Sequence, residues 1–429
     1  MSRFIIEGGH PLGGIFHPMG NKNAALPMIA ACLLTDELVH LDNVPHIRDV
    51  DNLLALLADL GVSVRREPHA VTLCAASLRS TRLSPDLCRS VRGSILLAGP
   101  LAARHGSATL SPPGGDVIGR RRLDTHFDGL SQLGISMTRH ADHFLLRRSS
   151  RFAGADILLD EASVTATENI LMAAVLAPGP TTILNAASEP HVQSLARLLR
   201  QMGAQIDGIG TNQLLITGVP SLRGASVRID PDYIEVGSLL AAAAATHGTI
   251  DIDTPLDSVT CCVIRRLFQR LGVKVALDPD SGLLSLPAHQ TLRIRPDLGG
   301  AIPKIEDGTW PAIPSDLLSV ALVLATQARG DVLFFEKLFE SRMYFVDRLL
   351  EMGARVVACD PHRVLVSGPA PLRAKHMTSP DIRAGMALIV AALAAQGTSV
   401  IDNADMVDRG YEAIEARLRS LGAHITRSP

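Results

Sequence analysis

The segment Leu57–Val64, with the sequence LADLGVSV, decides the fold because its pattern recurs five more times along the chain. The other copies are LSQLGISM at 130–137, LRQMGAQI at 199–206, FQRLGVKV at 268–275, LLEMGARV at 349–356 and LRSLGAHI at 418–425. In each copy an apolar pair precedes a glycine suited to the left-handed position after a helix, and alternating apolar residues then predict a strand. The six glycines are 73, 69, 69, 81 and 69 residues apart. The chain therefore predicts six repeats of about 70 residues.

Each repeat also contains a helix of small apolar residues, such as AALPMIAACLL at 24–34 and EVGSLLAAAAAT at 235–246. A helix that is apolar nearly all round is buried on every side. The predicted internal helices are Asn23–Leu34, Arg92–Ala103, Glu168–Ala177, Glu235–Thr246, Asp316–Ala328 and Asp381–Ala395. Three repeats make a domain of ordinary size, so six repeats predict two similar domains. A solenoid is the alternative, although the period is long for one.

The composition argues against several classes of protein. A formal net charge of −2 over 429 residues does not suit a nucleic-acid-binding surface. The six cysteines lack paired C-x-x-C motifs and the density of a secreted scaffold, which predicts reduced thiols and a cytoplasmic protein. The amino terminus has no signal-peptide core, and the apolar runs are shorter than the roughly 18 residues of a membrane span. The histidines are scattered, so no metal site is predicted.

Charged residues stand where the predicted internal helices begin: Lys22, Arg92, Glu168, Glu235, Asp316, Asp381 and Arg383. Helix amino termini attract anions, and Lys22, Arg92 and Arg383 would reinforce that attraction. Lys22 is notable because only five of the 41 basic residues are lysine. The alternative is that the aspartates are N-caps and the cations are ordinary surface residues.

The sequence SPPGGDVIGRRR at 111–122 is the most unusual segment of the chain. Three glycines give the backbone freedom, and three consecutive arginines lie near one carboxylate, that of Asp116. This pattern predicts a mobile lid that carries an acid over an anionic ligand. An ordinary glycine-rich turn is the alternative.

Several motifs together resemble the UDP-N-acetylglucosamine 1-carboxyvinyltransferase (UDP-GlcNAc enolpyruvyl transferase) family. They are GNKNAALP at 20–27, PGGDVIG at 113–119, ATENILMAA at 166–174, PSD at 314–316, DIRA at 381–384 and DRGYE at 408–412. The resemblance runs essentially end to end. It implies an inside-out α/β barrel of six βαβαββ repeats, with one domain at 22–229 that carries the mobile loop and another at 1–21 and 230–429. It also implies an active site in the cleft between the two domains.

The family transfers the enolpyruvyl group of phosphoenolpyruvate to the 3-hydroxyl of UDP-N-acetylglucosamine by addition and elimination, releases phosphate and uses no cofactor. The resemblance implies phosphoenolpyruvate-binding roles for Lys22, Arg92, Arg121, Arg342, Arg383 and Arg409. The implied catalytic residues are Lys22, Asp116, Asp316 and Arg409, with Asp316 taking the acceptor hydroxyl's proton. Many members have cysteine where this chain has Asp116. Because fosfomycin alkylates that cysteine, we expect no inactivation of this protein by fosfomycin.

The acceptor side is less similar to the family. The implied acceptor-binding residues are Asn23, Arg121, Arg122, Leu123, Asp124, Thr125, Ser163, Val164, Thr165, Glu189, Asp316 and Leu338. Departures from the family's usual residues occur at Arg122, Glu161, Thr165, His191 and Tyr233, and 296–313 is longer than the usual link. Glu161 would repel a diphosphate, although Arg122 could compensate.

Four interpretations follow. The leading one is the cell-wall reaction on UDP-N-acetylglucosamine, for which the partners are small molecules rather than nucleic acid or membrane. A second is a paralogue with another acceptor, such as a uridine nucleotide in secondary metabolism. A third is a non-catalytic binding protein, which would not need both an acid and a base. The shikimate-pathway enolpyruvyl transferase shares the fold, but its Lys-Ser/Thr opening is absent at Lys22-Asn23.

Overall fold

A computed structural model describes residues 2–116, 118–253, 256–278 and 281–429. By their internal contacts these residues divide into two compact units. The first unit contains residues 20–116 and 121–230, and the second contains residues 2–19, 118–120 and 231–429. Each unit has three sheets and its own hydrophobic core.

The helices follow the predicted order. They are α1 Lys22–Ala30, α2 Arg48–Leu60, α3 Pro85–Ser90, α4 Ala98–His105, α5 Asp124–Gln132, α6 Val164–Ala174, α7 Pro190–Gln201, α8 Tyr233–Ala245, α9 Ser258–Arg270, α10 Ser315–Gln327, α11 Val346–Glu351, α12 Ile382–Ala394 and α13 Ile414–Ser420. Short 3₁₀ turns lie at Ala31–Leu34, Arg92–Leu97, Leu298–Gly300, Arg342–Phe345 and Ala404–Arg409.

The strands are short and form six sheets among the described residues. The strands up to residue 228 are β1 Arg3–Glu7, β2 Gly13–Phe16, β3 Val39–Asp42, β4 Ser63–Glu67, β5 Ala70–Cys74, β6 Ser107–Leu110, β7 Ile135–Arg139, β8 Phe144–Arg148, β9 Asp156–Leu158, β10 Pro180–Leu184, β11 Gln205–Asp207, β12 Gln213–Thr217 and β13 Ala225–Arg228. The others are β14 Thr249–Ile252, β15 Ala276–Leu277, β16 Leu284–Leu286, β17 Lys304–Glu306, β18 Gly330–Phe335, β19 Val356–Asp360, β20 Arg363–Gly368, β21 His376–Thr378, β22 Thr398–Asp402 and β23 His424–Ser428.

Five sheets have four strands and one has three. The sheets of the first unit have the orders β13-β3-β5-β4, β6-β8-β7 and β11-β12-β10-β9, and those of the second have the orders β15-β16-β14-β2, β17-β18-β20-β19 and β21-β22-β1-β23. In three of these sheets, a neighbouring strand comes from a distant part of the same unit, as in the pairs β13 with β3, β14 with β2 and β1 with β22. The amino-terminal strands β1 and β2 therefore complete two sheets of the second unit.

The six repeated glycines confirm the repeat. Each of them has a positive φ, between 77° at Gly272 and 107° at Gly203. Each follows a helix and precedes a strand, and these strands are β4, β7, β11, β15, β19 and β23. The local pattern of the sequence was therefore sufficient to locate six helix ends.

Helices form the interior of each unit. In the second unit α8, α10 and α12 pack against one another, and nearly every residue of these three helices is buried. In the first unit α1, α4 and α6 occupy corresponding places, and their apolar residues belong to one core. The strands alternate buried and more exposed residues, as in the iBiB pattern of β6. This arrangement is the predicted inside-out α/β fold, with two sets of internal helices.

Two predicted helix starts need correction. Glu168 does not begin a helix, because Ser163 is the N-cap of α6 and places Glu168 inside it, where the side chain is buried. Arg92 begins a 3₁₀ turn, and the α-helix that follows starts at Ala98. Within the described residues, no helix combines the length and apolar character needed to cross a bilayer.

Candidate active site

Lys22 is the first residue of α1 and is held by a buried ion pair. The Asn21 side chain caps the helix by accepting a hydrogen bond from the Ala24 amide. Lys22 Nζ lies 2.7 Å from Asp49 Oδ2, and Asp49 belongs to the first turn of α2. Because a buried charge is costly without its partner, Asp49 fixes the position of the Lys22 ammonium group.

Arg92 and Arg121 bring two cations together in the first unit. Arg92 Nη2 donates a hydrogen bond of 2.7 Å to the backbone carbonyl of Arg121. Burial, with a smaller contribution from the nearby charge of Arg121, lowers the pKa of Arg92 to about 10. Both effects oppose a positive charge at Arg92. A bound anion would relieve this electrostatic cost, so this pair is suited to a phosphate group.

The loop that carries Asp116 packs directly on this cation pair. The Gly114 amide donates to the Cys88 carbonyl, and a Cβ at Gly114 would lie 1.8 Å from the Arg89 carbonyl oxygen. Gly115 has a φ of +116°, and a Cβ there would lie 2.8 Å from Arg92 Cβ. The glycines are therefore required for close approach, and they place half-buried Asp116 one residue beyond this contact.

The following part of the loop belongs to the second unit. The Ser341 amide donates to the Ile118 carbonyl, and the Arg120 amide donates to Glu340 Oε2 at 3.1 Å. Gly119 has a φ of +124°, and a Cβ there would lie 2.1 Å from Glu340 Oε2. The predicted loop 114–119 is therefore held by defined contacts on both sides of residue 117, which lies outside the described residues.

Arg122 is surrounded by carboxylates. Its guanidinium lies 2.9 Å from Asp124 Oδ2 and 3.1 Å from Asp160 Oδ2. The hydrogen bond to Asp124, followed by the charges of Asp160 and Glu161, raises the pKa of Arg122. The hydroxyl of buried Thr125 lies 2.7 Å from Asp160 Oδ1 and 3.2 Å from Glu161 Oε1. These carboxylates thus already balance the charge of Arg122. We had expected that charge to offset the repulsion between Glu161 and a bound diphosphate.

Thr165 is held by a buried histidine that the sequence did not single out. The Asn169 side-chain amide has a fixed orientation because its Oδ1 accepts from the Gly99 amide. Asn169 Nδ2 therefore donates to His126 Nδ1 at 3.1 Å, which leaves the ring proton on His126 Nε2. This Nε2 then donates to Thr165 Oγ1 at 3.1 Å. Burial, with a smaller contribution from Arg92, lowers the pKa of His126 to about 3, so the ring stays neutral.

Asp316 lies between two arginines in the second unit. Arg342 Nη2 lies 2.9 Å from Asp316 Oδ1, and Arg383 donates through Nε to Asp316 Oδ2 at 2.9 Å. Asp316 and Arg383 are the second residues of α10 and α12, and Arg342 begins a 3₁₀ turn. Both arginines are buried, whereas the Asp316 side chain is 25% exposed. The carboxylate thus accepts hydrogen bonds from the donor edges of both guanidinium groups.

Two buried carboxyl groups lie next to this cluster. Glu336 and Asp307 are both fully buried, and Arg342 Nε lies 3.7 Å from Glu336 Oε2. Burial, and then a hydrogen bond to Asp307, raises the pKa of Glu336 to about 8. The Ser315 hydroxyl and the amides of Leu338 and Phe339 donate to the Glu336 carboxyl oxygens. Burial beside a second carboxyl group therefore favours the protonated form of Glu336.

The remaining predicted residues lie at the ends of elements. Asn23 is the second residue of α1, Leu123 and Glu189 precede α5 and α7, and Ser163 and Val164 begin α6. Arg409 ends a 3₁₀ turn and is half-buried, and Leu338 is exposed. Among the residues that differ from the family's usual ones, His191 is buried in α7, and Tyr233 packs near Trp310 with ring centroids 5.9 Å apart.

Comparison with known proteins identifies the family. The model of the family described as EPSP synthase (3-phosphoshikimate 1-carboxyvinyltransferase) matches residues 6–418. A UDP-N-acetylglucosamine 1-carboxyvinyltransferase of Bradyrhizobium diazoefficiens is 54% identical over 100% of this chain and 98% of its own length. Proteins of the same name from Treponema pallidum and Borrelia garinii are 49% and 48% identical, each over 99% of its own length. The chain belongs to the UDP-N-acetylglucosamine 1-carboxyvinyltransferase family.

Solved structures agree with the fold. The enolpyruvyl transferase NikO from Streptomyces tendae superposes with a TM-score of 0.88 at 25% identity, over 100% of this chain and 99% of that one. An EPSP synthase from Acinetobacter baumannii has a TM-score of 0.76 at 16% identity, with complete coverage of both chains. The resemblance in the sequence, the fold class and the assignment as an enolpyruvyl transferase are thereby confirmed.

Sequence reasoning missed several residues of the family's site region in this chain. Asp49, His126 and Glu336 were not singled out, although each contacts a residue that was, and Asp307 was missed as the neighbour of Glu336. Asp307 lies in the long segment 296–313, which was noted only for its length. The sequence around His126, DTHFD at 124–128, is mostly polar and carries no signal of a buried histidine, and no local pattern can name its partner.

The fold also brings together histidines that are scattered in the sequence. Glu7, His10 and His424 lie together, with potential ligand atoms within 4.8 Å of one another. Residues 7 and 424 are opposite each other on β1 and β23. Only strand pairing brings them together, since more than 400 residues of chain separate them.

Proposed function

We propose that this protein transfers the enolpyruvyl group of phosphoenolpyruvate to the 3-hydroxyl of UDP-N-acetylglucosamine, with release of phosphate, as a step in peptidoglycan precursor synthesis. The acceptor oxygen adds to C2 of phosphoenolpyruvate while C3 gains a proton. Loss of a C3 proton and of phosphate then restores the double bond. The observation that carries this proposal is the clamp of Arg342 and Arg383 on Asp316, in a chain 54% identical to a named relative.

Lys22, Arg92 and Arg121 are the proposed phosphate-binding groups. Arg92 and Arg121 form a cation pair that an anion would stabilise, and Asp49 fixes the Lys22 ammonium. Fixed cations favour the leaving phosphate because its negative charge grows as the C2–O bond breaks. Lys22 adds a compact donor that an arginine fork does not reproduce.

Asp316 is the proposed base, and its two arginines give it a mechanism of activation. A substrate carboxylate that binds Arg342 and Arg383, with Arg409 as the third proposed cation, competes with Asp316 for the same guanidinium groups. Displacement removes two stabilising cations from Asp316, which makes it more basic. Phosphoenolpyruvate binding would therefore prepare Asp316 to accept the proton of the acceptor hydroxyl.

Asp116 is the proposed acid for C3. It follows Gly115, which packs on Arg92, so it lies beside the proposed phosphate site within the first unit. A carboxyl group must be protonated to donate, and a closed site with little water would favour that form. Asp116 thus replaces the family's usual cysteine as a proton donor without supplying a thiol nucleophile.

The proposed acceptor is supported by relatedness. The named UDP-N-acetylglucosamine enzymes are 48–54% identical to this chain, whereas NikO is 25% identical. Among the proposed acceptor residues, Thr165 receives a hydrogen bond from His126 and retains its own hydroxyl proton for a ligand. Acids surround Arg122, so we assign it to positioning Asp124 and Asp160 rather than to compensation for a diphosphate.

All six cysteines are free thiols, and this supports a reducing compartment such as the cytoplasm as the place of reaction. The proposed partners are the two small-molecule substrates. No cofactor is needed for the proposed steps, because each is a proton transfer or an exchange at C2.

Phosphate release from phosphoenolpyruvate tests the function, with UDP-N-acetylglucosamine as the only acceptor. We expect release that requires both substrates and that falls at least about 100-fold in Asp316→Ala. Asp347→Ala removes an exposed carboxylate of the same unit and should retain full activity. If folded protein binds phosphoenolpyruvate but releases phosphate only with a uridine nucleotide lacking the sugar, the acceptor assignment is incorrect.

A further inference from the structure

A second cluster of polar side chains lies on the sheet formed by β21, β22, β1 and β23. Glu7 and His424 are directly opposite each other in the pairing of β1 with β23. His424 Nδ1 lies 3.3 Å from Glu7 Oε2, and His10 Nε2 lies 3.6 Å from Glu7 Oε1. Glu7 and His424 are exposed and His10 is half-buried, so the cluster is accessible from solvent.

The backbone around the cluster is fixed by contacts that do not involve its side chains. The Gly8 amide donates to the Gly397 carbonyl at 3.1 Å, and the Gly9 amide donates to the Leu393 carbonyl at 2.8 Å. A Cβ at Gly8 would lie 2.2 Å from the Ala395 carbonyl oxygen, so only glycine fits there. The chain is therefore pinned between Glu7 and His10, and this pinning limits the positions that the His10 side chain can take.

We propose that Glu7, His10 and His424 form a binding site for a divalent transition-metal ion, with zinc as the ion that fits best. Ligand bonds of about 2.0–2.2 Å in tetrahedral geometry place neighbouring ligand atoms about 3.3–3.5 Å apart. Two distances in the cluster are close to that spacing, 3.3 Å from His424 Nδ1 to Glu7 Oε2 and 3.6 Å from His10 Nε2 to Glu7 Oε1, so each histidine faces a different oxygen of the carboxylate. The third pair of donor atoms lies within 4.8 Å. The rings of His10 and His424 are stacked with centroids 3.6 Å apart, so the exposed His424 ring must turn out of this stack for both nitrogens to point at one ion.

The donor set selects the class of ion. Two imidazole nitrogens and one carboxylate oxygen suit zinc and its neighbours, whereas calcium and magnesium prefer oxygen ligands throughout. The two histidines, His424 first, lower the pKa of Glu7 and keep it an anion. A water molecule would complete four ligands, as in sites with three protein ligands.

The site would connect the beginning of the chain to its end. In this sheet β23 is an edge strand and β1 is its only neighbour. An ion shared by Glu7, His10 and His424 would join that edge to β1 and to the segment after it, and it would oppose fraying of the carboxyl terminus. None of these residues belongs to the proposed catalytic machinery, so this inference stands apart from the proposed function.

A calorimetric titration of the full-length, chelator-treated protein with zinc tests the site. We expect one ion per chain and at least tenfold weaker binding in His10→Ala/His424→Ala and in the nearly isosteric Glu7→Gln. His376→Ala is the matched control, because His376 is an exposed histidine of the same sheet that pairs with Asp402 alone. Circular dichroism checks that each variant is folded, and phosphate release should not change in any of them.

Titration with cobalt(II) separates this site from the exposed thiols of Cys262 and Cys359. Nitrogen and oxygen ligands give weak visible bands alone, whereas a thiolate ligand adds a strong near-ultraviolet charge-transfer band. The proposal predicts the first spectrum in the wild type and its loss in the double variant. It is overturned by absence of binding at millimolar zinc, by unchanged binding in the double variant, or by a thiolate band.

Discussion

At the scale of single residues, this protein relies on buried charges whose partners are fixed. Lys22 and Asp49 share one ion pair, and Asp316 shares both of its oxygens with Arg342 and Arg383. Each pair is stable only while both members are charged, since removal of one leaves the other desolvated. A substitution at such a residue therefore changes stability as well as chemistry, and a test must separate the two effects.

Replacing Lys22 with alanine should reduce turnover about 10²–10³-fold, because the fixed ammonium is lost at the proposed phosphate site. The same change breaks a buried ion pair by removing one of its members, which costs about 3–5 kcal/mol of stability. The double variant Lys22→Ala/Asp49→Asn should regain stability but not turnover. Phosphate release and thermal unfolding together measure this separation, and near-normal turnover in either variant contradicts the role of Lys22.

Fosfomycin should not inactivate the wild-type protein, since a carboxylate at Asp116 is a poor nucleophile for the epoxide compared with a thiolate. Asp116→Cys should become sensitive, with time-dependent loss of activity and a covalent adduct in the segment 114–119. Mass spectrometry after incubation measures both forms. A wild-type adduct on that segment would refute the prediction, and Asp116→Ala should give no adduct and little turnover.

At the scale of elements, several proposed site residues lie at the starts of the internal helices. Asp316 and Arg383 are the second residues of α10 and α12, and Lys22 is the first residue of α1. The segment before α10 adds a contribution of its own, because it supplies Asp307 to the buried pair behind Arg342. The segment 296–313 thus contributes to the electrostatic surroundings of a helix start.

Glu336 predicts a dependence on pH that can be tested with Glu336→Gln. Its folded pKa, about 8, lies above the ordinary 4.5, so the folded protein holds a proton that the unfolded chain loses between these values. Stability due to this group is therefore complete below about pH 4.5 and declines as pH rises towards 8. Glutamine cannot ionise and can donate to Asp307, so the variant should be more stable than wild type near pH 8 and similar near pH 4.5.

The same group should affect substrate binding. Above pH 8 the ionised carboxylate of Glu336 would face Arg342 as well as Asp307. His362, the other titratable neighbour, contacts the backbone carbonyl of Glu336 rather than its carboxyl group. An added negative charge near Arg342 weakens attraction for a substrate carboxylate. The KM for phosphoenolpyruvate should thus rise above pH 8 in wild type but not in Glu336→Gln, with Glu351→Gln as an exposed control. Parallel pH profiles in all three proteins contradict this prediction.

At the scale of the whole molecule, the second unit is built from segments distant in the chain. The second unit takes its strands β1 and β2 from the amino terminus, and β1 lies between β22 and β23 near the carboxyl end. Phe4 and Ile6 on β1 are fully buried in its core, whereas Ile5 points to the other face and is half-buried. The first residues of the chain are thus part of the hydrophobic core of the second unit.

Ile6→Ala should lower the free energy of unfolding of the second unit by about 2–5 kcal/mol, since it leaves a cavity in a packed core. Ile5→Ala on the opposite face should cost clearly less. Trp310 is the only tryptophan, lies in the second unit and is 8% exposed, so its fluorescence in a urea titration reports on this unit. Equal shifts of the urea midpoint in the two variants would contradict this assignment of faces.

The sequence predicted the elements well because their signals are local. A glycine after an apolar pair locates a helix end wherever it occurs, and Gly61 and Gly203 both have the expected positive φ. Helix starts were predicted less accurately. Glu168 was placed at a helix start because it is charged, but capping by Ser163 sets the start at Val164, four residues earlier. A carboxyl group inside an apolar helix is favoured in its neutral form. Burial, and then the charge of Glu189, raise the pKa of Glu168 accordingly.

The sequence by itself determined the six repeats, the two sets of internal helices, the family and the residues that its motifs carry. These follow from periodicity and from the order of short segments, which need no knowledge of distant contacts. The tertiary structure decided which side chains meet: Lys22 with Asp49, His126 with Thr165, Asp307 with Glu336, and Glu7 with His10 and His424. The reason is physical, because charge, pKa and metal affinity depend on neighbours within a few ångströms, and only strand pairing and helix packing bring such neighbours together.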